Sequence, residues 1–210
     1  MVEKITLQKD PDLLAQNLKK YVELALDMGA SVATVVPAEL IVADERVRMK
    51  CRFPLCSVYG RSMNCPPHTG SVEDTRNLLK LFKYGIMIKL DVPGERVVGM
   101  AAIREGSDDL RKLSEVLSAV ESAAFYDGYY FATGFSSATC MAVWCKGQEC
   151  QALQGKGCRH QAKVYASMEA VGIDVFRLAA TVGWDIYPIG TSATTDMFPH
   201  ASRCGLVLVE

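Results

Sequence analysis

The 210-residue sequence has no C-x-x-C pair, no long apolar run and no excess of positive charge. Each absence removes a class of function. No window approaches the roughly 18 consecutive apolar residues of a membrane-spanning helix, so a membrane protein is not expected. The opening residues, MVEKITLQKDPDLL, lack the uninterrupted apolar stretch of a secretory signal. That predicts a cytoplasmic chain whose thiols stay reduced. A net charge of -1 supplies no basic stripe for a nucleic acid. "GKG" at 155–157 is too short for a phosphate loop and is not followed by Ser or Thr. There is no internal repeat and no low-complexity linker.

What is present suits one folded unit over residues 1–210. Half the residues are hydrophobic and 22% are charged, enough for a sizeable core. Asp10-Pro11 reads as a helix start, with Leu14, Leu18, Tyr21, Val22, Ala25 and Leu26 on one face and Gly29 at the stop. SVATVV (31–36) reads as a buried strand and ERVRMKC (45–51) as an extended segment. Ser71 and Asp74 form a capping box for a helix carrying Leu78, Leu79 and Phe82. GIMIKLDV (85–92) alternates like a strand with one buried face, and VVGMAAI (97–103) reads as its neighbour. Ser107 opens a long helix with Leu110, Leu113, Leu117, Val120 and Ala124 inward. Its carboxylate pair, Asp108-Asp109, fits the helix dipole rather than acid–base work. GYYFATGF (128–135) reads as a strand, 161–172 as a helix, Asp174 as the cap of another, and GLVLVE (205–210) as a last strand just after Cys204. Interleaved helices and strands predict an α/β layered domain: a mixed central sheet flanked by helices, with cysteine-bearing loops at one edge.

Eight cysteines stand out, and seven fall in two windows, 51–65 and 140–158. The first holds Cys51, Cys56 and Cys65; the second holds Cys140, Cys145, Cys150 and Cys158; Cys204 stands alone. A disulfide framework belongs to short secreted chains, not to a long chain with its own core. Cysteines serving as small hydrophobes would scatter through strands and helices, whereas these cluster in segments rich in glycine, proline and charge. Arg52, Arg61, Lys146, Lys156 and Arg159 run through both windows, and nearby cations favour the metal-ligating thiolate. The intervening gaps of four, eight, four, four and seven residues differ from the two-residue knuckles of structural zinc. Iron–sulfur clusters accept such spacings and often have proline beside a ligand, as in Cys65-Pro66-Pro67. Two arrangements fit: two clusters, with Cys204 completing the first set, or one cluster on three cysteines with an iron open to substrate. His68, His160 and His200 each lie near a cysteine and are further candidates.

Cys51, Cys56, Tyr59-Gly60 and Cys65-Pro66-Pro67, followed by Gly155 to Val175 with Cys158-Arg159 and Ser167-Met168-Glu169-Ala170, carry a resemblance. On these residues the chain resembles a prokaryotic family of predicted metal-binding, cysteine-rich proteins, over most of its length. The resemblance implies metal binding, plausibly an iron–sulfur cluster, without supplying a reaction. Members usually show a C-x-x-C step before the position matched by Cys150, and this chain offers Cys140 and Cys145 at wider intervals instead.

The expectation is therefore an iron–sulfur protein, with one or two 4Fe–4S clusters, passing electrons to a redox partner. The alternatives are an enzyme using an open-site cluster on a small-molecule substrate, and a zinc-binding structural or adaptor protein. All eight cysteines are candidate cofactor residues, with metal ligation expected of Cys51, Cys56, Cys65, Cys145, Cys150 and Cys158.

Overall fold

The computed structural model describes residues 4–6, 10–98, 106–190 and 192–210. Four strands, β1 (Val32–Pro37), β2 (Tyr84–Val92), β3 (Thr133–Phe135) and β4 (Ala201–Leu208), form one sheet in the order β1-β2-β4-β3. Helices cover both faces, which makes the fold α/β as expected.

Helix α1 (Pro11–Asp27) starts where its sequence says: the Asp10 carboxylate accepts from Asp12 N at 2.9 Å and proline occupies the first turn. It buries Leu14, Leu18, Tyr21 and Ala25. The long helix α4 (Gly106–Tyr126) lies beside it and buries Leu113, Val116, Leu117, Val120 and Ala124. Against these two helices the sheet presents Ile86, Ile88, Leu90 and Val92 from β2 and Val207 from β4. The opposite face presents Met87, Leu206 and Leu208 to α3 (Val72–Leu79), to a 3₁₀ turn at Glu169–Val171 and to α5 (Val175–Thr181). Ser71 and Asp74 form the expected capping box of α3, and Asp174 caps α5.

The structure corrects several expectations. The sheet is not mixed, because β4 inserts between β2 and β3 and runs antiparallel to both. β2 is buried on both faces: Lys89 is 5% exposed, donates to Asp185 O at 3.2 Å, pairs with Asp91 at 3.1 Å and lies 5.9 Å from the Trp184 ring. Glu45–Arg52 is a helix, α2, rather than an extended segment. It buries no residue and so has no apolar stripe to read, and it is set by the Asp44 cap, an acidic first turn and a basic last turn. Within 128–135 only Thr133–Phe135 is strand. Residues 161–172 are not a helix but two 3₁₀ turns, at Gln161–Lys163 and Glu169–Val171, around an extended stretch. That stretch is claimed by tertiary pairing: Ser136 N donates to Ala166 O and Met168 N to Ser136 O, both at 2.9 Å. Of the strand expected at 97–103, Val97 and Val98 lie in a turn and the rest lies outside the described residues.

Gly172 ends the second of those 3₁₀ turns at φ +87°, and its carbonyl accepts from Asp44 N at 2.8 Å. A Cβ there would meet Val72 Cγ2 at 2.7 Å. Gly172→Ala is expected to lose about 2 kcal/mol of stability, read from the urea midpoint, because left-handed strain and overpacking act together.

β3 is short, and this shapes the site. It pairs with β4 only through Thr133–Leu208, Gly134–Val207 and Phe135–Leu206. After Phe135 the chain leaves β4 and bridges in parallel from Ser136 to Ser167. The outer edge of β4 from Ala201 to Gly205 is thereby left without a strand partner from β3. A gap opens between that edge and the segments that carry Ser137 and Glu169.

Candidate metal centre

The gap widens into a cavity of about 700 Å³ whose wall includes Cys51, Cys56, Cys65 and Cys204. Cys51 comes from the last turn of α2, and Cys56 N donates back to its carbonyl at 3.0 Å. The loop then turns through Tyr59 and Gly60, where Gly60 N donates to Pro66 O at 2.7 Å and so closes the loop around Cys65. Cys65 is 7% exposed, and its thiol lies 3.5 Å from Thr139 Oγ1 in the segment that leaves β3. The first window is thus held against the start of the second by a direct side-chain contact.

Ser62 and Asn64 make the next link. Ser62 Oγ lies 3.3 Å from Cys140 Sγ, and Asn64 Nδ2 donates to the same sulfur at 3.8 Å. Cys140 opens one turn of π-helix, Met141–Cys145, which buries Cys145 and ends at Lys146 in the left-handed region. Single π turns often occur at functional sites. Cys150 caps the 3₁₀ turn Gln151–Gln154, and Cys158 accepts from His160 N at 3.4 Å. All eight cysteines are free thiols.

The chain therefore brings Cys51, Cys56, Cys65 and Cys204 to one cavity, with Cys140 joined to Cys65's loop through Ser62. Cys145, Cys150 and Cys158 are not among the residues of that wall. The histidines are engaged differently: His68 Nε2 lies 3.2 Å from Gly60 O, His160 packs 5.8 Å from the Trp144 ring, and His200 pairs with Asp91 at 3.3 Å.

Electrostatics corrects the expectation that neighbouring cations ionise the thiols. Burial raises Cys51, Cys65 and Cys140 above the ordinary thiol value. Neighbouring cysteines raise them further, and only Arg48, beside Cys51, acts the other way as a cation. Burial would raise Cys150 too, but the backbone N–H groups of Met63, Leu153 and Ala152 and the Ser62 hydroxyl outweigh it and bring that thiol below its ordinary value. Cys204 lies within β4 rather than before it, opposite Lys89 and 3% exposed, and burial pushes its thiol up to about 12.

The family model described as "Predicted metal-binding protein (DUF2284)" matches residues 34–209. The chain belongs to that family. No curated protein and no solved structure matches it. The matched span of this metal-binding family contains all eight cysteines and the whole cavity wall. Among the described residues, no three cysteine, histidine, aspartate or glutamate side chains converge on one point as a single metal ion requires. The donors nonetheless fit a larger group, since soft sulfur atoms from the end of α2 and from the loop after it stand around a cavity rather than at a point.

The sequence reasoning missed the polar part of the wall. Among the described residues, Ser137 Oγ, Glu169 Oε2 and Arg203 Nε are buried atoms without a hydrogen-bond partner, and all three residues line this cavity. Glu169 is held above the ordinary carboxylate range by burial, and Arg203 below the ordinary guanidinium range by the same cause. No local motif connects positions 137, 169 and 203; they reach one cavity because the chain leaves β4 after Phe135.

Proposed function

We propose that the protein binds a 4Fe–4S cluster through Cys51, Cys56 and Cys65 and uses it on a small molecule admitted to the adjoining cavity. The observation that carries this reading is the placing of three first-window cysteines around one cavity of about 700 Å³. Structural zinc needs four ligands, each about 2.3 Å from a common centre if sulfur, whereas a cluster takes each thiolate on a separate iron. Three cysteines would leave one iron without a protein thiolate, available to a small molecule in the cavity that they line. When bound, the cluster supplies electron transfer and Lewis acidity at that position. The chain's own residues hold the site: the Thr139 hydroxyl lies against Cys65, the Gly60–Pro66 bond fixes the loop, and Tyr59, Phe176, Ile186 and Tyr187 line the cavity.

A second reading, electron transfer to a redox partner, is favoured by the second window. Cys140 hydrogen-bonds to the loop of Cys65, and Cys145, Cys150 and Cys158 follow it in short turns. A second centre held there would stand beside the first and relay electrons to it.

Purification without oxygen, with iron, acid-labile sulfide and zinc measured beside visible and paramagnetic spectra, tests both readings. About four irons and four sulfides per cluster are expected. A colourless protein with stoichiometric zinc and no sulfide would sink both and leave the zinc-stapled adaptor.

A further inference from the structure

Folded proteins leave few buried polar atoms without a partner, and each such atom costs free energy unless a ligand or water completes it. Among the described residues three such atoms, Ser137 Oγ, Glu169 Oε2 and Arg203 Nε, belong to one cavity wall. They come from three separate segments: the chain leaving β3, the 3₁₀ turn at Glu169–Val171, and the edge of β4 that β3 does not cover. Beside Ser137, Ala138 has φ +58°, a left-handed conformation that an alanine adopts at a cost. The rest of the wall is largely apolar, with Val58, Val97, Val175, Phe176, Ile186 and Ile189. An apolar cavity of this size with a few convergent polar groups is the usual form of a small-molecule site.

The three open atoms specify the ligand's chemistry. Asp109 and Glu169 already act on the Arg203 charge, but among the described residues nothing accepts from its Nε–H, which calls for a ligand acceptor such as a carboxylate. The Ser137 hydroxyl can donate to a second oxygen of the same group. Glu169 Oε2 is an acceptor and calls for a donor, which a ligand hydroxyl supplies. The apolar walls call for a hydrocarbon body. We propose that this cavity binds a small hydroxycarboxylic acid, its carboxylate on Arg203 and Ser137, its hydroxyl on Glu169 and its apolar body against Val58, Phe176 and Ile186.

This assignment deepens the proposed function, since it names the class of molecule presented to the cluster, but it rests on atoms that are not cysteine ligands. Calorimetric titration of the anaerobically purified protein with mandelate, phenylacetate and inorganic phosphate tests it, with iron and sulfide measured on the same sample. Mandelate is expected to saturate one site per chain. Phenylacetate, which lacks the hydroxyl, is expected to bind about tenfold or more weakly, because Glu169 Oε2 then stays open. Arg203→Gln is expected to weaken mandelate by about tenfold or more and Ser137→Ala by about fivefold, with iron content unchanged. Should Arg203→Gln fail to fold, as judged by its melting profile, Arg203→Lys and Ser137→Ala carry the test.

Absence of saturable mandelate binding overturns the proposal, as does phenylacetate binding equally well. Unchanged affinity in a folded Arg203 variant overturns it too. Tighter binding of phosphate assigns the site to an inorganic oxyanion and overturns the organic-acid class. Mandelate bound by iron-free protein sinks the cluster reading alone, while full iron without mandelate binding sinks this inference alone.

Discussion

If the proposed cluster is bound, replacing Cys65 with serine is expected to remove most of its iron, whereas replacing Cys204 is expected to remove none. Cys65 sits between the two windows: its thiol meets Thr139, and its carbonyl accepts from His68 N at 3.0 Å in a loop closed by Gly60 and Pro66. A serine there keeps the loop but offers a hard alkoxide donor that iron–sulfur chemistry does not favour. Iron and sulfide per chain should fall several-fold against the unmodified protein, with the circular dichroism unchanged. Cys204 lines the same cavity, but it is a core residue of β4 facing Lys89 across the strand pair, and its thiol is pushed up to about 12. Cys204→Ser should hold its iron and lose about 1–2 kcal/mol, since the added hydroxyl enters an apolar layer. Equal iron loss in the two variants would make Cys204 the fourth ligand and close the position assigned to substrate.

Changing Glu169 to glutamine is expected to alter how stability depends on pH. Burial holds the Glu169 carboxyl above its ordinary 4.5, so the folded chain keeps a proton that the unfolded chain releases first. The stability associated with that proton is fully present below about pH 4.5 and is lost as pH rises through the folded value. Glutamine keeps the shape and removes the charge. Metal-free Glu169→Gln should therefore match the original at pH 4 and exceed it by about 1–3 kcal/mol at pH 8, read by urea unfolding. Parallel curves for the two proteins would show that another group titrates there.

The sequence made the scaffold legible wherever a local signal agreed with tertiary packing. Asp10-Pro11, the Ser71–Asp74 box and the Asp174 cap each marked a helix start, and Leu113, Leu117 and Val120 marked the buried face of α4. It was illegible where the determining contact is distant. Residues 161–172 carry apolar spacings compatible with a helix, but Ala166 and Met168 hydrogen-bond to Ser136, thirty or more positions away, and hold the chain extended. Helix α2 has caps and no apolar stripe, so periodicity passes over it. Both cysteine windows were visible from their clustering. Their burial was not, and burial rather than the interspersed cations sets most of the thiol shifts.

The two hydrophobic layers have a consequence for how the protein would acquire its metal. Of the eight cysteines, only Cys204 belongs to either layer. The seven others hang on turns that are already tied to one another by Ser62, Asn64 and Thr139. A chelator should consequently empty the protein without unfolding it, unlike a zinc finger, whose fold is bought with its metal. Whatever delivers the metal meets a finished scaffold whose Cys51 and Cys65 thiols are harder to ionise than usual, and each thiol must shed its proton before it ligates. Loading would then be slow in acid and quick in mild alkali, which makes the acidity of its surroundings a timer on when the protein takes up its metal.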